Sequence, residues 1–240
     1  LYNIVDRMFI GHGVGALAIS GLTLTFPIML FLQAFGMLVG AGAATRISIF
    51  MGRKEMNMAQ KILGNALLLT FVLSAVSILP SMIFLEDLLL MFVGSESTIP
   101  YATEYLYIVI PANLLTSLSF NFNAVMRATG YPKKAMVTML IGAILNTILD
   151  PIFIFWLDMG IKGAAYATVI SMAASAVFVM THLLSKDSLI RFQKKYLKWD
   201  WQVILHIVTI GISPFAMQIA GSLVNVVLNN SLQTYGGDLA

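Results

Sequence analysis

Lys133-Lys-Ala-Met-Val-Thr-Met-Leu-Ile-Gly-Ala-Ile-Leu-Asn-Thr-Ile-Leu-Asp-Pro-Ile-Phe-Ile-Phe-Trp-Leu-Asp158 carries charge at both ends and a single acid, Asp150, in between. An α-helix rises about 1.5 Å per residue, so roughly 20 apolar residues are needed to cross a hydrocarbon core about 30 Å thick. The stretch is long enough. It also lacks the alternation of a membrane β-strand, so it reads as a membrane-crossing helix.

Five further runs contain no Asp, Glu, Lys or Arg: between Arg7 and Arg46, Lys61 and Glu86, Glu104 and Arg127, Lys162 and Lys186, and Asp200 and Asp238. The whole chain is 59% hydrophobic and 10% charged, against about 25% charged in a soluble domain. Its mean hydropathy is +0.88. The fold class that follows is an all-α membrane protein, a polytopic helical bundle. The spans are expected at 16 to 46, 60 to 85, 101 to 127, 133 to 156 and 161 to 185. The end of an earlier helix is expected at 1 to 10, and a further helix from about 202.

The loops give the orientation. Short loops rich in Lys and Arg stay in the cytoplasm. Arg46, Arg53, Lys54 and Lys61 share one loop; Arg127, Lys133 and Lys134 a second; Lys186, Arg191, Lys194, Lys195 and Lys198 a third. The loops between them hold Glu86, Asp87, Glu96 and Glu104, and then Asp158 facing Lys162. The sign alternates at each crossing, which places 46–61, 127–134 and 186–200 in the cytoplasm of a multi-pass protein of the cytoplasmic membrane. The pI near 9.1 is therefore topological, and no nucleic-acid partner is expected; the bilayer itself is the first partner.

Proline and glycine fit these boundaries. Gly130-Tyr131-Pro132 reads as a turn into a helix start, Met159-Gly160 as another turn, and Pro100 sits in a first helical turn, where its missing N–H costs least. Pro27, Pro111, Pro151 and Pro214 fall in or near spans, where kinks are tolerated and accompany moving helices. Leu1–Ile10 is too short to cross alone, so the chain is expected to begin inside its first helix and to stop soon after its last. Residues 186–200, with Trp199 and Trp201 as interfacial aromatics, read as a linker between 1–185 and 201–240. The segment 222–240 faintly echoes 1–18, the kind of internal repeat common in transporters.

A carboxylate inside the membrane costs about 2.5–3.5 kcal/mol on insertion scales and is a functional candidate by default. Asp150 and Asp6 qualify. Asn146 precedes Asp150 by one helical turn, so amide and carboxylate share a face and could hold a proton or small cation together. Met139 continues that face. Thr168 in the next helix offers a hydroxyl, with Met172 one turn on. A structural reading of Asp150, as a cap beside the carbonyl that Pro151 frees, stands beside the functional one. Asp6 could equally pair with Arg7. Asn113, Asn121 and Asn123 read as glue between helices, and His12 has no second ligand beside it. Cysteine is absent, which excludes thiolate metal sites and cysteine nucleophiles. No HExxH, GxSxG or P-loop pattern occurs, and Asp150 stands alone where diphosphate chemistry needs Asp-rich repeats, so no enzyme and no cofactor are expected.

Four stretches together resemble the multidrug and toxic compound extrusion (MATE) transporters. They are Leu1-Tyr-Asn-Ile-Val-Asp-Arg-Met-Phe-Ile-Gly11, Arg127-Ala-Thr-Gly-Tyr-Pro-Lys-Lys-Ala-Met136, Leu145-Asn-Thr-Ile-Leu-Asp-Pro-Ile-Phe153 and Met159-Gly-Ile-Lys-Gly-Ala-Ala-Tyr-Ala-Thr-Val-Ile-Ser171.

The resemblance implies twelve helices in two pseudo-symmetric six-helix lobes. On that scheme 1–185 is the N-lobe, 186–200 the cytoplasmic linker and 201–240 the start of the C-lobe, whose remainder would be a partner. The implied activity is alternating-access antiport, in which re-entry of H⁺ or Na⁺ expels amphipathic, often cationic drugs. The cation site it implies is Asp6, Asn146, Asp150 and Thr168, with Tyr2 joining the hydrogen-bond network. The substrate cleft would be lined by Met29, Met139 and Met172. A NorM-like acid in the seventh helix is absent between Trp201 and Gly237, so the resemblance is to the DinF-like branch, with coupling in the N-lobe. The alternatives are a lipid-linked oligosaccharide flippase of the same superfamily and, remotely, a membrane-embedded enzyme. Half a lobe interface is expected to transport nothing by itself.

Overall fold

The computed structural model describes residues 9–11, 14–91 and 98–236. Residues 9–11 are helical and precede α1 (Ala16–Gly52), α2 (Met56–Ile83), the short α3 (Leu85–Met91), α4 (Ile99–Ala128), α5 (Pro132–Pro151), α6 (Gly160–Leu184) and α7 (Trp201–Gly236). Among the described residues there is no strand. Within these described residues, six helical segments are long and apolar enough to cross a membrane: Leu17–Gly52, Met56–Ile83, Ile99–Ala128, Pro132–Trp156, Gly160–Leu184 and Trp201–Ser231. The protein is thus an all-α, multi-pass membrane bundle, as the charge-free runs require.

Two sequence boundaries shift. The first span continues six residues beyond Arg46, and the second starts at Met56 rather than 60. A helix need not stop at the bilayer surface. Arg46 stays within it and donates from Nε to the carbonyl of His206 at 3.2 Å. The turn at Gly130 needs a left-handed residue, φ +92, open to glycine at no steric cost; Pro132 then starts α5. Lys162 pairs with Glu104 at 3.4 Å, not with Asp158 as their shared loop suggests.

The ends sort as the charge pattern demands. Ser48 bonds the carbonyl of Ala128, the Tyr131 hydroxyl donates to the carbonyl of Asp187, and that of Tyr196 to Asn57. All three basic loops therefore meet at one end of the bundle. Lys162 and Glu104 mark the other.

Lipid tails are as apolar as leucine, so helices here are held by close packing and buried polar contacts rather than by exclusion from water. Small residues supply the closeness. Gly163, Ala167, Ser171 and Ser175, spaced by four, form a buried stripe along α6, and Ser175 reaches so close to Gly142 of α5 that a Cβ there would lie 2.7 Å from its Oγ. Between α1 and α7, a Cβ at Gly42 would strike the carbonyl of Ile207, and one at Gly211 that of Leu38. The same seam carries Phe35 against Phe215 at 5.3 Å, Gln218 bonded to Gln33, and Ser222 bonded to the carbonyl of Pro27.

Candidate functional site

Asp150 sits in the last turn of α5. Pro151 follows it and has no N–H to give, and residues Ile152–Trp156 wind as a π turn, with Leu157 N–H donating to the carbonyl of Ile152 at 3.0 Å. Such turns are rare and frequent at functional sites. Asp150 is 0% exposed and Asn146 2%. The Asn146 amide donates from Nδ2 to Oδ1 of Asp150 at 3.1 Å, as residues one turn apart can. That bond sets the amide's orientation and leaves its Oδ1 buried with no hydrogen-bond partner among the described residues. An unmet buried acceptor costs about 1–3 kcal/mol; a cation or a ligand N–H would satisfy it.

Asn146 also lines a cavity of about 290 Å³ between α4, α5 and α6, together with Met139, Thr168, Ser171 and Met172. Ser171 Oγ is a second buried polar atom there without a partner among the described residues. Asp150 itself does not line this cavity; it is reached through Asn146. A smaller cavity, about 120 Å³, opens between α1, α4 and α6 and is lined by Met29, Gln33 and Asn113 among others. Phe120, Thr168 and Met172 line both. Of all these lining residues Arg127 alone is charged; the walls are otherwise mostly methionine, leucine, phenylalanine and small side chains, with the amides of Gln33, Asn113, Asn123 and Asn146 set among them. Such a surface can accept flat apolar groups, with a few polar atoms fixing their orientation.

The structure thus brings Asn146 and Asp150 into direct contact and links Thr168 to them through a shared cavity. Met139 and Met29 lie on different cavities, joined by Met172. Tyr2 and Asp6 lie outside the described residues, as does His12. Two of the three asparagines of α4 are glue: Asn121 donates to Thr70 Oγ1 at 3.1 Å and Asn123 to the carbonyl of Ala135 at 2.7 Å. Asn113 is not. Its buried Nδ2 has no partner among the described residues, and it faces the smaller cavity. Sequence reading took Asn113 for glue and passed over Gln33, Phe120 and Ser171 as cavity residues. A signal existed for two of them, since Gln33 lies one turn after Met29 and Ser171 one turn after Thr168.

On the cytoplasmic side, the carboxyl of Asp200 is held below the usual carboxylate range, first by its hydrogen bond from Lys61 and then by the backbone N–H of Val203. It belongs to the packing of the α6–α7 connection on α2, not to the cavities.

The MatE family model matches residues 1–152. The multidrug export protein MepA of Staphylococcus haemolyticus is 31% identical over 98% of this chain and 52% of its own length, and that of Staphylococcus aureus strain NCTC 8325 is 30% identical over the same shares. The chain therefore spans about half the length of the curated relatives it matches. Among solved structures, the MATE multidrug transporter DinF-BH superposes with a TM-score of 0.94 at 33% identity, over 99% of this chain and 53% of that one. An inward-facing MATE family transporter gives 0.93 at 24% identity, over 99% of this chain and 54% of that one, a likeness of fold. Family model, curated relatives and bundle agree, and this chain belongs to the MATE family, a family of membrane transporters and not of enzymes.

Proposed function

We propose that the protein containing this segment is a cation-coupled antiporter that exports amphipathic, often cationic drugs, with residues 1–185 as its N-lobe and 201–240 opening the second lobe. The observation that carries the reading is the wholly buried Asp150, bonded to Asn146 on the wall of an apolar cavity. An ionised carboxylate kept inside a membrane protein is expensive unless a charge or proton answers it. Binding H⁺ or Na⁺ at Asp150, Asn146 and Asp6, with Thr168 and Tyr2 completing the site, neutralises that charge. The cation then shifts the lobes only by as much as it binds one conformation better than the other. Drug and cation need not touch; linkage through the shared conformation is enough.

The cavities support the substrate class. Their walls suit a flat apolar body, and the unmet acceptor Asn146 Oδ1 is left for the coupling cation. The MepA relatives are named multidrug export proteins, in keeping with this. The test is ethidium efflux from vesicles holding the full-length protein, first under an imposed pH gradient and then under a Na⁺ gradient. Efflux driven by one of them names the coupling ion; efflux driven by neither, with the protein folded, defeats the proposal.

A further inference from the structure

The connection between α6 and α7 is not a loose tether. Phe192 packs edge-on against Phe122 of α4 at 5.3 Å, and its N–H bonds the carbonyl of Leu183. Gln193 donates to Gln60 at 2.7 Å and Tyr196 to Asn57 at 2.8 Å. The backbone N–H of Asp200 donates to Asn65 at 2.9 Å, and its carboxylate pairs with Lys61. The carbonyl of Tyr196 lies so close over Gly64 that no side chain would fit there. The segment is therefore pinned to α2 and α4.

Lysines are the only charged side chains that its second half, from Gln193 to Trp199, leaves outward. Lys194, Lys195 and Lys198 are exposed, and none has an ion-pair partner among the described residues. Asp200, the acid that ends the segment, is already engaged by Lys61. Beside them Trp199 and Trp201 stack edge to face at 5.4 Å, 40% and 66% exposed. Trp201 opens a membrane-crossing helix, and tryptophan favours the level of the lipid headgroups. The ring pair sets the depth of the segment, so the three ammonium groups are held at the headgroup layer of the leaflet on the basic, cytoplasmic side. Lys54 and Glu55 stand nearby and offset each other, on the rim of an open cavity that Tyr196 also lines.

We propose that this pinned, basic, tryptophan-flanked segment is a binding surface for the headgroups of anionic phospholipids in the cytoplasmic leaflet. A flexible linker would meet such lipids only diffusely. Here the backbone is ordered in advance, so three lysines and two indoles meet the same leaflet at once. Each lysine at an anionic surface adds about a fivefold gain in partitioning. The bound lipid in turn holds the junction at the start of α7, the point where the first six crossings pass to the rest of the protein. This surface is independent of the cavities and of the coupling ion.

The test uses the full-length protein, purified and offered equal amounts of phosphatidylglycerol and phosphatidylcholine in native mass spectrometry, with inorganic phosphate in the buffer. Wild type should retain phosphatidylglycerol at least about tenfold over phosphatidylcholine. The variant Lys194→Gln/Lys195→Gln/Lys198→Gln should lose that preference, and the corresponding triple Lys→Arg variant should keep it. A control, Lys133→Gln/Lys162→Gln, should stay within about twofold of wild type. The proposal is overturned if the triple Gln variant keeps its preference, if the control loses as much, or if phosphate displaces the lipid, which would mark a site for free anions.

Discussion

Asn146 and Asp150 were legible in the sequence because one helical turn separates them, and a span with a single acid draws attention to that acid. The hydrogen bond between them follows from helix geometry alone. Thr168 and the methionines were legible only by position in their helices, and which cavity each would line depends on neighbours that sequence does not supply. Asn113, Asn121 and Asn123 make the same point: Thr70 and the carbonyl of Ala135 satisfy two of them, and no residue in sequence distinguishes the third. If Asp150 is kept for function, its removal should relieve a burden. Asp150→Asn is expected to unfold in detergent at or above the wild-type temperature, since a buried membrane carboxylate costs about 2.5–3.5 kcal/mol. A variant that melts clearly lower would make Asp150 a structural residue. Asp200 behaves oppositely. Its carboxyl is depressed in the folded protein by Lys61, so its contribution is complete above the ordinary carboxylate pKa of about 3.9 and is lost as pH falls through the lower, folded value. Proteolysis of the α6–α7 connection, followed against pH, should accelerate only in that acidic window, and Asp200→Asn should remove the transition.

At the level of helices, charge-free runs located the spans to within a few residues, because length and apolarity are what a bilayer demands. They could not locate helix ends that project beyond it, as α1 does to Gly52. Nor could they foresee the π turn after Pro151, although that proline signalled an interruption. The seam between α1 and α7 was hidden because close approach appears in sequence only as scattered glycines. Gly211→Ala would place a Cβ on the carbonyl of Leu38 and is expected to destabilise the protein by about 1–3 kcal/mol, the usual range for overpacking. Gly221→Ala, in the same helix with nothing within 4 Å, should be neutral or stabilising by up to about 1 kcal/mol, as alanine is the better helix former. Thermal melts of the two variants side by side check this, and equal losses would refute the seam.

For the molecule as a whole, the alternation of basic and acidic loops predicted which ends would gather, and the contacts among Ser48, Ala128, Tyr131, Asp187, Tyr196 and Asn57 bear it out. The docking of the α6–α7 connection was not legible, since its partners Gln60, Asn57 and Asn65 look like ordinary polar residues at a helix start. Because the chain covers about half the length of its curated relatives, the 240 residues expressed alone are expected to form no drug gradient in liposomes; a gradient from them would mean that one half suffices. The central claim is that the buried Asp150 couples cation to drug. Its most direct test is the full-length protein in proteoliposomes, wild type against Asp150→Asn, with ethidium binding and gradient-driven ethidium efflux read on the same preparations. The account predicts that the variant still binds ethidium but no longer exports it under either gradient; export at the wild-type rate would contradict it.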